Sequence, residues 1–369
     1  MTPDSTKAYI ADRIFTGQEW LHYYAMIVED GIIRKLIPAS NLPAGIEKIE
    51  FDDCSIVPAF VDLQIYGAYG KLFASYPEPA SLSLLNKYCR EGGAVFFLPT
   101  IATNTPGVVH KSIDAVREYL ENGGEGVLGI HLEGPWINPT KKGAHVESLI
   151  HVPTLGEVEA LLQYGEGIIR MITLAPEVCS KEIIQLLNAH NIIVSAGHSN
   201  ATFEQAMHGF DSGISAVTHL FNAMSPLFHR EPGLVGATMD HPSVKASIIP
   251  DGFHVDYAAI RIALHIMQKR LYVITDAVTE TNAGLYRHYR KGDKYEFDGV
   301  LSGSALTMGK AVQNLVGQAG VDLEDALNMC SQYPAQLLGI DKKIGWIKKG
   351  FQAKCTVLNA ALEPVSVIS

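Results

Sequence analysis

Between residues 55 and 340, short apolar runs alternate with amphipathic helical patterns, and this alternation limits the fold of the 369-residue chain more than any other feature. Eight runs follow in order: "SIVPAFVDLQ", "GAVFFLPTI", "EGVLGIHLEG", "GIIRMITLAPE", "NIIVSAGHS", "ISAVTHLFN", "VKASIIPDG" and "LYVITDA". Helical stretches such as "TPGVVHKSIDAVREYLENGG", "TLGEVEALLQYG" and "TFEQAMHGFDSG" separate most of them, and several open on a Ser, Thr or Asp cap and close on Gly. The runs are continuously apolar rather than alternating, as suits parallel strands buried on both faces. Eight such units, over a span near the roughly 250 residues typical of the architecture, point to a (β/α)8 barrel. A doubly wound open sheet is the alternative, but no G-x-G-x-x-G follows the first strand and no Walker sequence is present.

The two ends read differently. "KAYIADRIFTG", "YYAMIVEDGIIRKLI" and "IEKIEFDDC" near the start, and "GWIKKGFQAKCTVLNAALEPVSVIS" at the finish, are strand-like pieces broken by Gly, Asp and Pro. Neither end can bury a core alone. The expected organisation is therefore α/β, with a catalytic barrel over residues 56–344 and a small β-sandwich domain assembled from 1–55 and 345–369.

Composition narrows the function. With 29 basic and 39 acidic side chains the net charge is −10, which argues against general nucleic-acid binding. A local anion site needs only a few placed Arg, His and backbone N–H groups, so it stays open. No apolar stretch approaches the roughly 20 residues of a membrane helix, and "MTPDSTKAYIADRIF" lacks the pattern of a signal peptide. The five cysteines are dispersed and never spaced as C-x-x-C, so free thiols in a reducing cytoplasm are expected.

In a barrel of this kind the active site lies at the carboxy-terminal ends of the strands. Polar residues stand there repeatedly: Asp62 and Gln64 after the first run, Glu133 after the third, His198 after the fifth, His219 after the sixth, Asp251 and His254 after the seventh, and Asp276 after the eighth. Taken alone, Glu133 in "GIHLEGPWIN" reads as a solvated strand end. With His198 and His219 at equivalent ends it completes a set of two histidines and one carboxylate, which holds one catalytic divalent ion and leaves positions open for water and substrate. Zinc is the default, with Fe2+, Co2+ or Mn2+ accepting much the same ligands. Asp276 beside such an ion suits a general base. His131, on the same side of its strand as Glu133, and His22, His110, His151, His190, His208, His241, His265 and His288 read as structural.

Eight segments then carry a resemblance: "VPAFVDLQIYG", "HLEGPWINPTKKGAH", "AGHSNAT", "THLFNAM", "REPGLVG", "DGFHVD", "ITDA" and "LSGSALTMG". In this order the chain resembles the amidohydrolase superfamily and, within it, the N-acetylglucosamine-6-phosphate deacetylases. The resemblance implies Glu133, His198 and His219 as metal ligands, Asp276 as catalytic aspartate and His254 as stabiliser of the tetrahedral intermediate. It further implies Gln64 and His145 near the sugar, Asn222, Ala223 and Arg230 at the phosphate, and the segment containing Leu306 over the substrate, with Ser304 alternatively capping the next helix. It also implies a phosphorylated amino-sugar substrate and a homodimer in which Arg230 reaches the neighbouring active site.

The chain departs from the family pattern in places. Gln64 and Tyr66 stand where many amidohydrolases carry an H-x-H pair for a second metal, so one ion per subunit is expected. Ala59 and Lys354 replace a common Gly and Asp at positions that look structural. Another amide or cyclic-amide hydrolase, a catalytically silent sugar-phosphate sensor and a structural barrel protein are the rival readings. The intact set of ligands and base speaks against the last two, and Arg230 with "FNAM" against the first.

Overall fold

The structure, a computed structural model, describes residues 6–369. Its central element is an eight-stranded sheet: β1 Phe60–Ile65, β2 Ala94–Ala102, β3 Ile130–Glu133, β4 Ile169–Leu174, β5 Ile193–Ala196, β6 Ala216–Val217, β7 Lys245–Ile248 and β8 Leu271–Val273. Every strand neighbours its successor in sequence, and the registers recorded from β2 through to β8 are all parallel. Beyond the strand ends the backbone nearly closes the ring, because Ile65 bridges Ala277 in parallel. Asp276 N donates to Gln64 O (3.0 Å) and Tyr66 N to Ala277 O (2.9 Å), which sets the end of the first strand beside the end of the last.

Helices follow the strands: α1 Pro79–Glu91, α2 Pro106–Glu121, α3 Leu155–Tyr164, α4 Lys181–Ala189, α5 Phe203–Asp211, α6 Gly233–Asp240, α7 Tyr257–Met267 and α8 Met308–Gly317. Their starts are fixed by the residues that mark them in the sequence. Thr105, Ser180, Asp256 and Thr307 each accept a first-turn backbone N–H, and Thr154 with Glu157 and Thr202 with Gln205 form capping boxes. Each cap contributes about 1 kcal/mol. Ser304 is therefore not the cap of α8: its hydroxyl donates to Thr275 O at 2.6 Å, and Thr307 caps that helix instead. The apolar stripes face inward, for example Ile183, Ile184 and Leu187 on α4.

Both ends of the chain meet in a separate seven-stranded sheet. Glu47–Pro58 runs parallel to Lys7–Phe15 and antiparallel to Cys355–Asn359. Its core holds Ile14, Met26, Ile33, Ile56, Ile347 and Val357, all fully buried. The chain divides into two compact units, one reaching to Asp62 and taking in Cys89–Phe96 and Thr307–Ser369, the other made of Leu63–Tyr88 and Phe97–Leu306. Apart from Asp62, which ends the first stretch of the first unit, the polar strand-end residues and the site residues expected from sequence lie in the second.

Candidate functional site

The floor of the site is a chain of buried polar groups inside the barrel. His131 Nε2 meets Thr173 Oγ1 (2.8 Å), which meets Thr218 Oγ1 (2.7 Å), which meets Ser195 Oγ (2.7 Å). His131 Nδ1 lies 3.1 Å from Leu63 O. With both nitrogens engaged and its pKa pushed down to about 4 by burial, His131 is a neutral structural group.

Above this floor three strand ends converge. Glu133 Oε1 lies 3.0 Å from His219 Nε2 and 3.3 Å from His198 Nε2, and the two imidazole nitrogens are 3.1 Å apart. These are one ligand atom from each residue, all within 4.8 Å of one another, and all three residues are buried. His198 Nδ1 stands 2.9 Å from Lys141 O, which can only accept, so the proton of a neutral ring sits there and Nε2 offers its lone pair. Electron-rich atoms at such spacings repel unless a proton or a cation lies among them. A divalent cation would relieve all three contacts at once, so the donor set fits the ion that the sequence implies. Burial alone would raise the pKa of Glu133; the adjoining imidazoles, His198 first and then His145 and His219, outweigh it and hold the carboxyl well below its usual range.

The backbone marks the same residues. His198, His219 and Asp276 adopt φ of +47°, +37° and +54°, and Ala223 adopts +47°. Left-handed residues other than glycine cost roughly 1–3 kcal/mol each and concentrate at functional sites. Gly134, next to Glu133, has φ +80°, and a Cβ built on it would lie 2.2 Å from Thr103 Oγ1, so only glycine fits that turn.

Two carboxylates complete the arrangement. Asp276 Oδ1 accepts from Gln64 Nε2 (2.8 Å), and its Oδ2 faces His254 Nε2 at 3.9 Å. His254 Nδ1 lies 2.6 Å from Asp251 Oδ2, while Asp251 Oδ1 accepts the N–H groups of Phe253 and His254. Burial would raise the Asp251 pKa, but these bonds to His254 and Phe253 lower it. Gln64 Nε2 also reaches Tyr66 Oη (2.8 Å) and Glu133 Oε1 (3.1 Å), so it sits behind the site as a tie.

These groups open on a cavity of about 330 Å³, within the range of small-molecule sites. Glu133, His145, His198, His219, Asn222, Ala223, His254 and Asp276 all line it. Asn222 Nδ2 donates to the carbonyls of His219 and Leu220 at 3.3 Å each, which stiffens the loop after β6. Three expected residues stand apart from the wall, Gln64 behind the site and two others. Arg230 is exposed. Leu306 is buried, its N–H tied to Ser304 Oγ at 2.9 Å, and the wall there is Val300–Gly303.

On one side of the cavity, where "LSGSALTMG" is expected from sequence and Leu301–Gly303 form part of the wall, the sequence reading did not foresee the sheet that carries them. Residues 289–304 fold as a three-stranded sheet, Tyr289–Lys291, Lys294–Phe297 and Val300–Ser304. It presents His288, whose Nδ1 lies 2.8 Å from Ser302 Oγ, and Tyr286 stacks on that imidazole at 6.2 Å. His288 therefore belongs to the cavity wall, although the sequence suggests an ordinary structural histidine. The signal was present: "RKGDKYEF" places a two-residue Gly-Asp turn between strand-like pieces.

Comparison with known proteins agrees with this fold. Residues 55–368 match the Amidohydrolase family and residues 8–52 the NagA composite domain. The chain is 31% identical to N-acetylglucosamine-6-phosphate deacetylase of Haemophilus influenzae over 366 residues, 96% of each chain. It is also 31% identical to N-acetylgalactosamine-6-phosphate deacetylase of Escherichia coli O157:H7, over 95% of each. The crystal structure of N-acetylglucosamine-6-phosphate deacetylase from Pasteurella multocida superposes with a TM-score of 0.94 at 32% identity, covering 98% of both chains.

Proposed function

The chain belongs to the amidohydrolase family, and we propose that it hydrolyses N-acetylglucosamine-6-phosphate to glucosamine-6-phosphate and acetate. The observation that carries this reading is the meeting of three ligand atoms beside an independently anchored carboxylate, Asp276, in one small-molecule cavity. A divalent cation on Glu133, His198 and His219 supplies Lewis acidity there, lowering the pKa of water and polarising the amide carbonyl.

The chain's own groups do the rest. Asp276, held by Gln64 with its second oxygen turned to the cavity, takes the proton of the attacking water. As the carbon–oxygen bond forms, negative charge gathers on the carbonyl oxygen. Asp251 Oδ2 accepts from His254 Nδ1 and steadies the positively charged form of the ring, whose Nε2–H then donates to that oxygen, an effect typically worth about 3–4 kcal/mol. Asp276 then returns its proton to the amine as the carbon–nitrogen bond breaks. Asn222, Ala223 and Arg230 hold the phosphate, His145 contacts the sugar, and Leu306 supports the wall over the substrate, so remote binding energy positions the amide.

Several finer statements belong to the same proposal. Zinc is the resident ion, supported by the two imidazoles and one carboxylate. The protein works in the cytoplasm, supported by five free cysteines of which four are buried. It forms a homodimer in which Arg230 enters the partner's site, supported by the exposure of Arg230 beside Leu227 and Phe228, which are 55% and 59% exposed. Residues 56–344 carry the chemistry, with 1–55 and 345–369 as the companion domain. No helix among the described residues is long and apolar enough to cross a membrane.

Acetate release from N-acetylglucosamine-6-phosphate, followed before and after chelation and on return of Zn2+, tests the reading. Activity that disappears with the metal and comes back with it is expected. Metal-loaded protein that releases no acetate from either this substrate or its galacto epimer would overturn it.

A further inference from the structure

The two oxygens of Glu133 have different surroundings. Oε1 faces the metal-ligand nitrogens of His198 and His219, with the Gln64 amide as a single donor at 3.1 Å. Oε2 is met by Tyr66 Oη, and His145 Nε2 lies 3.2 Å from it. An ionised carboxylate only accepts, so the hydrogen between Tyr66 and Oε2 is the phenol's own. The second contact has the same sense. His145 Nδ1 lies 2.7 Å from Thr103 Oγ1 and is also the target of the Thr103 backbone N–H (3.3 Å); with Nδ1 accepting from both, the ring proton is left on Nε2. Tyr66 cannot swing away, because its ring is packed with Leu72, Val278, Tyr286 and Tyr295.

We infer that Tyr66 is a positioning residue of the metal centre: its O–H, with His145 Nε2–H, occupies Glu133 Oε2, so the carboxylate presents Oε1 alone to a single cation. A carboxylate with both oxygens available can grip an ion in bidentate fashion or bridge two ions. With Oε2 occupied by two buried donors, neither mode is open. The inference rests on the reading that Glu133, His198 and His219 hold an ion, and it adds what fixes the number and geometry of the bonds. Outer partners of ligating carboxylates typically change metal affinity 10–100-fold when removed.

Tyr66→Phe keeps the packed ring and deletes only the hydroxyl. The test compares Co2+-loaded wild type and Tyr66→Phe by metal content, visible absorption and competition with graded chelator. Wild type is expected to carry one Co2+ per chain with the intense bands of a four-coordinate ion, three protein ligands and one open position. In Tyr66→Phe the bands weaken as Oε2 joins the ion, and apparent affinity falls about 10–100-fold. Unchanged bands and affinity in the variant overturn the role of Tyr66 while leaving the metal site intact. Wild type that takes up no Co2+ overturns the metal site itself. If the variant does not fold, wild type decides alone: two ions per chain, or the weak bands of a six-coordinate ion, contradict the inference, and one four-coordinate ion supports it.

Discussion

Replacing Asp276 by Asn separates proton transfer from metal binding. The Asn side chain matches Asp in shape and can keep its amide oxygen on Gln64 Nε2, where Asp276 Oδ1 accepts at 2.8 Å. Its NH2 group then takes the place of the oxygen that faces His254 at 3.9 Å. A neutral donor replaces the base, and nothing nearby substitutes for it, because Glu133 is committed to the ligand cluster. Asn also tolerates the left-handed backbone at φ +54°, so folding is unaffected. Loss of a positioned base lowers kcat by about 10²–10⁴, equivalent to roughly 3–5 kcal/mol in the barrier. Metal content stays at the wild-type level, since Asp276 is outside the three-residue cluster. Steady-state acetate release with parallel metal analysis reads both quantities. Retention of kcat within tenfold would refute the assignment of Asp276 as base. Loss of the ion together with activity would place Asp276 among the ligands instead.

The remaining predictions test the phosphate clamp, the cavity wall and the turn beside Glu133. Arg230→Ala, exposed in this chain, should raise KM for the phosphosugar at least tenfold, and mixing it with Asp276→Asn subunits should restore activity if the arginine crosses to the partner. No recovery on mixing would confine Arg230 to its own subunit. Burial holds the pKa of His288 down at about 4 against an ordinary 6.5, so the unfolded chain takes up a proton that the folded one refuses. Stability contributed above pH 6.5 is therefore lost as pH falls toward 4, by roughly 3 kcal/mol from this group. Denaturant titrations at several pH values should show a shallower slope for His288→Gln, and an identical slope would contradict this. Gly134→Ala should lower Tm by several degrees and weaken metal retention, because the φ of +80° and the 2.2 Å approach to Thr103 Oγ1 leave no place for a methyl group; wild-type melting and metal content would argue against a role for this turn.

Much of this was legible in the sequence because the barrel repeats one local pattern. Continuous apolar runs mark buried strands, caps such as Thr154 and Thr202 mark helix starts, and polar residues at the strand ends mark the mouth. Glu133, His198, His219 and Asp276 could be picked out together because strand ends in this architecture must converge, whatever their separation in the chain. What was hidden depends on side-chain direction. Tyr66 and His145 both turn to Glu133 Oε2, a choice that spacing does not encode. Asp251 was visible as a strand-end carboxylate, yet its tie to His254 follows from a tight turn in which it also accepts two backbone N–H groups. The sheet over residues 289–304 was overlooked because its strands are short and mostly polar, so they lack the apolar run that marks barrel strands. The placements of Leu306 and Arg230 were likewise hidden. One is buried behind the wall and the other exposed outside it, positions that no pattern of residue types distinguishes.

The most direct test of the central claim is acetate release by metal-analysed protein from N-acetylglucosamine-6-phosphate and from unphosphorylated N-acetylglucosamine, side by side. Rapid release that depends on the phosphate, from protein carrying about one divalent ion per chain, is the result the account predicts. Equal rates on both sugars, or turnover undiminished after the ion is removed, would contradict it.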